Sequence, residues 1–285
     1  MSTIDKQSVN AASAPCAMTA AEFREVVLTI NQGVATLRLG RADESMVTLT
    51  AARIDEIDGA IAEVAATPDL SGLIITGPGP GMFCAGADVN LIRDITDAED
   101  GKAAAVRGRS VFAKLRDLKV PVVAAIEGPC LGGGLELALF CDVRVASDAK
   151  PTQIGLPEVK LGIVPGFGGT QNLTRLVGLP KALELILAGK LLRGTQALRA
   201  RIIDRLVPAT KLLTAANQEI AKLTKKNKKS KTRKLRGMAW WLSHTPMREL
   251  AVRAVEVAAP VLVDERLHVL VPDEGPALAL HRRLQ

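Results

Sequence analysis

Two turns constrain this chain more than any other feature. One is Gly132-Gly133-Gly134-Leu135-Glu136; the other is Ile154-Gly155-Leu156-Pro157-Glu158, which lies ahead of Pro165-Gly166-Phe167-Gly168-Gly169-Thr170-Gln171. Each carries a single glutamate past a glycine-rich or proline-kinked bend. Three glycines at the start of a helix leave backbone N–H groups unobstructed and add the positive end of the helix dipole. Two carboxyls placed by such turns make an acid/base pair, and the bare N–H groups suit a developing oxyanion. That combination suits chemistry beside a carbonyl, such as a thioester.

Around these turns, strand and helix patterns alternate. Residues 25–30 and 34–39 read as strands joined at Asn31-Gln32-Gly33, a hairpin signal. Residues 48–66 read as a helix with Ile54, Ile57, Ile61 and Val64 on one face. A short buried strand over 73–76 ends in Gly77-Pro78-Gly79-Pro80-Gly81, which forces a loop. A helix over 100–117, a strand over 121–126, the start of a buried helix at 136–140 and a strand over 143–146 follow. Helices are expected over 168–176, 180–188 and 195–201. Residues 211 to about 258 read as largely helical, and Thr245-Pro246 is a good helix start.

The alternation up to about residue 150 predicts an α/β domain. The chain divides into a flexible tail over 1–22, a core over 23–207, a helical region over 208–258 and an uncertain tail over 259–285. In that last stretch Pro260, Pro272 and Pro276 break any long helix, so a short strand or irregular tail is expected.

With 285 residues and 48% hydrophobic content, the chain can bury a sizeable core. Aromatics make up 2% and Tyr is absent, so Val, Ile, Leu and Ala must build that core. The same scarcity leaves few platforms for stacking bases, which argues against single-strand nucleic-acid binding. The net charge of +7 is local: residues 222–236 hold nine Lys or Arg, and the remainder carries 28 bases against 30 acids.

Cys16, Cys84, Cys130 and Cys141 lack CxxC spacing, and the three His (His244, His268, His281) all come late, so no zinc site is expected. A reducing, cytoplasmic setting fits this usage better than a disulfide framework. The N-terminus has no apolar stretch of the secretory kind, and no run reaches 18 apolar residues, so no membrane span is expected.

A third motif, Phe83-Cys84-Ala85-Gly86-Ala87-Asp88, uses small residues after a strand, which lets a ligand approach the main chain closely. The plain structural reading is a tight turn that needs small residues to pack. For Glu136 the plain reading is a salt-bridged helix carboxylate; its flanking Leu135 and Leu137 weaken that reading. For Glu158 it is a solvated carboxylate, and Leu156, Pro157, Val159 and Leu161 argue for burial. A buried carboxyl has a raised pKa and can hold a proton for delivery.

At these residues the chain resembles the enoyl-CoA hydratase/isomerase, or crotonase, superfamily. The motifs are FCAGADVN, KVPVVAAIEGPCLGGGLELALFCDVRVAS and IGLPEVKLGIVPGFGGTQNLTRLVG, and the likeness runs from about residue 24 to about 207. Within the superfamily the motifs look like the hydratase half of the multifunctional fatty-acid oxidation alpha subunit. The resemblance implies an α/β fold, a crotonase-type spiral of ββα turns, with late helices that pack on a neighbouring subunit in a trimer or dimer of trimers. It implies hydration of 2-enoyl-CoA thioesters, with coenzyme A as part of the substrate and no separate cofactor or metal.

By position, the resemblance makes Ala87 and Gly133 the two oxyanion-hole N–H donors. Glu136 would deprotonate water for attack at C3, and Glu158 would deliver a proton to C2. Ala85, Gly86, Asp88, Val89, Asn90 and Arg93 would line the coenzyme A pocket. Many hydratases carry a Lys at the position of Asn90, so phosphate contacts must come from elsewhere, such as Arg93 or the basic stripe. Isomerases of the superfamily shuttle the proton through the Glu158-type position alone, so having both acids favours hydration, with 3,2-isomerisation or another acyl-CoA lyase or hydrolase reaction on the same fold as the alternatives.

The chain departs from the multifunctional relatives in two ways. It lacks a second, dehydrogenase-type GxGxxG half, so a separate 3-hydroxyacyl-CoA dehydrogenase is an expected partner. It also lacks a Tyr-Pro-Ala-Pro-like linker after the helical region.

The stripe over 222–236 reads first as a solvated segment. Its functional readings are steering of anionic coenzyme A and phosphate-dominated RNA binding, since some proteins of this fold bind RNA. Trp240 and Trp241 beside it fit packing better than base stacking. A pure RNA binder has no need of Glu136 and Glu158.

Overall fold

The computed structural model describes residues 20–22, 25–88, 92, 95 and 97–225. The basic stripe beyond Lys225, Trp240, Trp241, Thr245-Pro246 and the stretch 259–285 lie outside the described residues, as do Val89, Asn90 and Arg93.

The strands β2 (Val26–Asn31) and β3 (Val34–Leu39) form the expected hairpin, with Thr29 opposite Thr36. Gln32 and Gly33 both take positive φ, 48° and 75°, the mirror-image turn that matches the twist of two-residue hairpins. Strand β1 (Ala20–Glu22) pairs antiparallel with β2. The tail expected over 1–22 thus gives up its last three residues, whose backbone groups complete the edge of a sheet.

From β3 onward the sheet is parallel. Strands β4 (Gly72–Thr76), β5 (Val122–Ile126), β7 (Val143–Ser147) and β10 (Arg205–Val207) follow in the order β1-β2-β3-β4-β5-β7-β10. Residues in β4, β5 and β7 are buried throughout, as expected of parallel strands covered on both faces. On one face Leu37, Leu73, Ile75, Val122, Ala124 and Ile126 join the main core. The other face carries Ile74, Val123, Ala125 and Val145 and is closed by Leu212, Ala215, Ala216 and Ile220 of the last described helix, Leu212–Lys225. The division drawn at 207/208 therefore separates two parts of one packed unit.

The helices fall near their expected places. They are α1 (Ala51–Ala66), α2 (Ala98–Ala113), α3 (Gly133–Phe140), α4 (Gly169–Val177), α5 (Leu179–Leu187), α6 (Gly194–Arg199) and α7 (Leu212–Lys225). α1 starts later than its apolar pattern suggests. Thr50 caps it by accepting the Arg53 N–H at 3.0 Å, and Leu49 is taken up by a backbone pairing.

That pairing reveals a second layer of short strands, which apolar periodicity did not show. Leu49 pairs with Ala87 and Cys84 with Cys130, both in parallel. β6 (Pro129–Leu131) pairs with β8 (Gln153–Gly155), and β8 with β9 (Leu192–Arg193). Three of the long strands are thus followed by a short strand segment and then a helix. β3 leads to 47–49 and α1, β4 to 84–87 and α2, and β5 to β6 and α3. This is the ββα spiral the resemblance implied. Segments of two or three residues carry too little periodicity to be read from sequence.

Candidate active site

The catalytic candidates all lie where short strands of the second layer end. The segment 84–88 is held on both edges. On one side Ala85 donates to the Val47 carbonyl at 2.8 Å, Leu49 to the Gly86 carbonyl at 2.8 Å, and Asp88 to the Leu49 carbonyl at 3.4 Å. On the other, Cys84 donates to the Pro129 carbonyl at 2.9 Å and Leu131 to the Cys84 carbonyl at 3.0 Å. Ala87 is skipped by this pattern. Neither its N–H nor that of Gly133 donates a backbone hydrogen bond to another described residue.

Gly86 brings these two amides toward each other. Its φ of +103° is open to glycine, and a Cβ there would stand 2.9 Å from the Leu131 carbonyl oxygen and 3.5 Å from the Gly133 nitrogen. Main chain thus meets main chain at the expected oxyanion donors. Beside Gly133 stand the Leu49 side chain and the Phe167 ring, the latter 3.2 Å from where a Cβ would be. Phe167 packs edge-on against Phe112, with centroids 5.6 Å apart.

Glu136 sits on the first turn of α3 and is 2% exposed. The salt-bridged alternative fails: its Oε1 accepts the Gly169 N–H at 2.6 Å, from the start of α4. Glu158 opens a short 3-10 turn, Glu158–Leu161, and is also buried. Neither of its carboxyl oxygens has a hydrogen-bond partner among the described residues. A Cβ on Gly132 would lie 3.1 Å from Glu158 Oε1, so the bend before α3 and the second carboxyl adjoin.

Burial raises the pKa of both carboxyls. At Glu136 the charge of Glu158 adds to the rise, while N–H donors from Gly169 and Phe167 oppose it. Two like charges this close do not ionise together readily, so the pair tends to share a proton near neutral pH. One group able to hold a proton beside one able to take a proton is the arrangement that acid/base chemistry needs.

Of the expected pocket residues, Ala85 and Asp88 are half-buried and Gly86 is buried, and Gly86 and Asp88 flank Ala87. Phe167, Leu49 and Gly169 were not singled out from sequence as site residues. Gly169 stood inside a quoted motif and Phe167 is one of five Phe in the chain, but Leu49 carries no local signal. Among the described residues no group of His, Cys, Asp and Glu is arranged to hold a metal, and no helix is long and apolar enough to cross a membrane. Cys84, Cys130 and Cys141 are free, and burial pushes their thiols up, with Cys84 at about 11.

Comparison with known proteins agrees with this geometry. The family described as enoyl-CoA hydratase/isomerase matches residues 29–250. The fatty acid oxidation complex subunit alpha of Vibrio campbellii is 46% identical over 203 residues, covering 71% of this chain and 29% of that protein. The chain thus spans under a third of the curated relatives it matches. Among solved structures, an enoyl-CoA hydratase from Bacillus anthracis is 32% identical with a TM-score of 0.65, covering 70% of this chain and 76% of that one. Another from Geobacillus kaustophilus is 28% identical with a TM-score of 0.69, covering 73% and 77%. A family match across most of the chain, on a spiral that gathers its motifs at one place, means that the chain belongs to the enoyl-CoA hydratase/isomerase family.

Proposed function

We propose that this chain adds water across the C2–C3 double bond of 2-enoyl-CoA thioesters, giving 3-hydroxyacyl-CoA. The thioester carbonyl accepts hydrogen bonds from the Ala87 and Gly133 N–H groups. Water attacks C3 as Glu136 takes its proton; negative charge moves onto the carbonyl oxygen, and Glu158 returns a proton to C2. The two N–H donors stabilise the enolate-like state, and losing one donor of such a pair typically costs about 3–4 kcal/mol.

The observation that carries this reading is Glu158, buried beside Gly132 with neither carboxyl oxygen hydrogen-bonded to a side chain or to another residue's backbone among the described residues. Burial that outweighs the opposing donor favours the neutral acid. Glu136 accepts the Gly169 N–H at 2.6 Å, which offsets part of the rise that burial and the Glu158 charge impose on it, and the base and acid roles are those the family resemblance implies.

Coenzyme A enters as part of the substrate along Ala85, Gly86 and Asp88, with Val89, Asn90 and Arg93 as the further contacts that the resemblance implies. No metal or redox group has a role in these steps. Fatty acid oxidation is the setting suggested by the named relatives. A trimer or dimer of trimers, a cytoplasmic location and a separate 3-hydroxyacyl-CoA dehydrogenase complete the proposal. The test is loss of the conjugated-thioester ultraviolet absorbance of crotonyl-CoA by wild type, E136Q and E158Q. Activity lost in both variants supports hydration by the pair. Loss in E158Q alone, with turnover of a 3-enoyl thioester, would instead indicate an isomerase.

A further inference from the structure

Arg53 is 3% exposed, and the mechanism above gives it no part. Each nitrogen of its guanidinium has a partner. Nη2 bonds both Glu44 oxygens at 2.7 and 2.9 Å and pairs with Glu25 Oε2 at 2.9 Å. Nε donates to the Glu25 carbonyl at 3.1 Å, and Nη1 donates to the Thr48 carbonyl. Its backbone N–H meets the Thr50 hydroxyl at 3.0 Å. One buried cation therefore ties Glu25, at the entry to β2, and the loop at Glu44 to a single backbone point, the Thr48–Leu49 peptide beside the α1 cap.

Leu49 is the residue that brackets Ala87. It takes the Gly86 carbonyl with its N–H at 2.8 Å and receives the Asp88 N–H at 3.4 Å. These two bonds, on either side of Ala87, orient the Ala87 amide. The order of connection is Arg53 to Thr48, Thr48 to Leu49, and Leu49 to the peptides flanking Ala87. A catalytic hydrogen bond is sensitive to such support, because small misplacements of a donor lose much of its effect. A fork of donors suits this junction, whereas a lysine ammonium cannot reach two carboxylates and a carbonyl in fixed directions.

We propose that Arg53 is a positioning residue for the oxyanion hole: by clamping the Thr48–Leu49 backbone, it aims the Ala87 N–H at the substrate carbonyl. The proposal rests on the reading of Ala87 as an oxyanion donor. It predicts an effect of Arg53 on the reacting state and not on substrate affinity.

The test compares the full chain with R53M, R53K and E44Q variants by four readouts. These are melting temperature, kcat and KM for crotonyl-CoA, the absorbance red shift of a bound para-aminocinnamoyl thioester of coenzyme A, and amide exchange at Leu49 and Asp88. Hydrogen bonds to the conjugated carbonyl produce that shift, so it reports the hole directly without turnover.

For R53M and R53K the expected result is a kcat lowered about 10- to 100-fold with KM nearly unchanged, a smaller red shift, and faster exchange at Leu49 and Asp88. E44Q, which leaves the cation paired with Glu25, should show a weaker version of the same pattern and serves if R53M does not fold. Variants that melt earlier but keep the wild-type kcat, red shift and exchange would make Arg53 merely structural and overturn the proposal. If wild type shifts the chromophore but does not hydrate crotonyl-CoA, the proposed reaction falls while the variants still decide Arg53's role. If wild type neither hydrates nor shifts, both readings fall.

Discussion

The Gly132 N–H donates to the Gly155 carbonyl at 3.0 Å, where β6 and β8 end side by side. That bond joins the bend leading to Glu136 to the one leading to Glu158. Gly155 is three residues before Glu158 and Gly132 is four before Glu136, so one backbone contact sets both carboxyls at the same edge of the second layer.

Glutamine at either glutamate should keep the fold and lower kcat by about 100- to 10,000-fold, the usual range for a positioned acid or base. Steady-state kinetics with crotonyl-CoA, alongside circular dichroism, checks this. Near-wild-type kcat in either variant would remove that carboxyl from the chemistry.

The two carboxyls should also make stability depend on pH. Burial raises both pKa values in the folded chain, so the native state holds protons that the unfolded chain has released. Stability is then highest below about pH 4.3, where unfolded glutamates keep their protons, as far as these two groups decide it. It falls as pH rises toward the raised folded values. E136Q and E158Q should therefore melt higher than wild type at pH 8, by about 1–3 kcal/mol, and the gap should close toward pH 5. Melting curves at the two pH values test the sign.

Gly132→Ala should be damaging for two separate reasons. The backbone there has φ of +50° and ψ of −126°, and the new Cβ would crowd Glu158 Oε1 at 3.1 Å. A cost of about 1–3 kcal/mol in stability is expected, with a larger fractional loss of kcat than of folded protein. An active, fully stable alanine variant would show that the bend tolerates a side chain.

Arg144→Met should destabilise without touching the chemistry directly. Arg144 is 5% exposed, pairs with Asp204 at 2.7 Å, and donates to the Cys141 and Ile202 carbonyls at 2.9 and 2.8 Å, tying the end of α3 to the approach to β10. Removing one partner of a buried pair costs about 3–5 kcal/mol, so the melting temperature should fall by many degrees. An unchanged denaturation midpoint would contradict this account.

The motifs FCAGADVN, GPCLGGGLE and GLPEVKLG hold the candidate site residues, because glycine at tight bends and glutamate among apolar neighbours are local choices that leave local marks. The long strands β2, β3, β4, β5 and β7 are equally legible, since buried β-branched runs between turn residues have little alternative. Helix α1 is misread at its start because Thr48 and Leu49 continue an apolar pattern that tertiary pairing captures for the second layer.

The α/β class, the family and the two candidate glutamates are legible in the residues alone. What these residues meet depends on how the chain folds back on itself. The pairing of Leu49 with Ala87, of Cys84 with Cys130 and of Leu131 with Gly155 joins segments 38, 46 and 24 residues apart. So does the donor that Gly169 gives to Glu136, 33 residues away, while Glu158 has no partner among the described residues. Backbone hydrogen bonds between short segments carry no side-chain signature, so nothing in the local residue pattern announces them. The different surroundings of these two chemically identical side chains arise from those contacts.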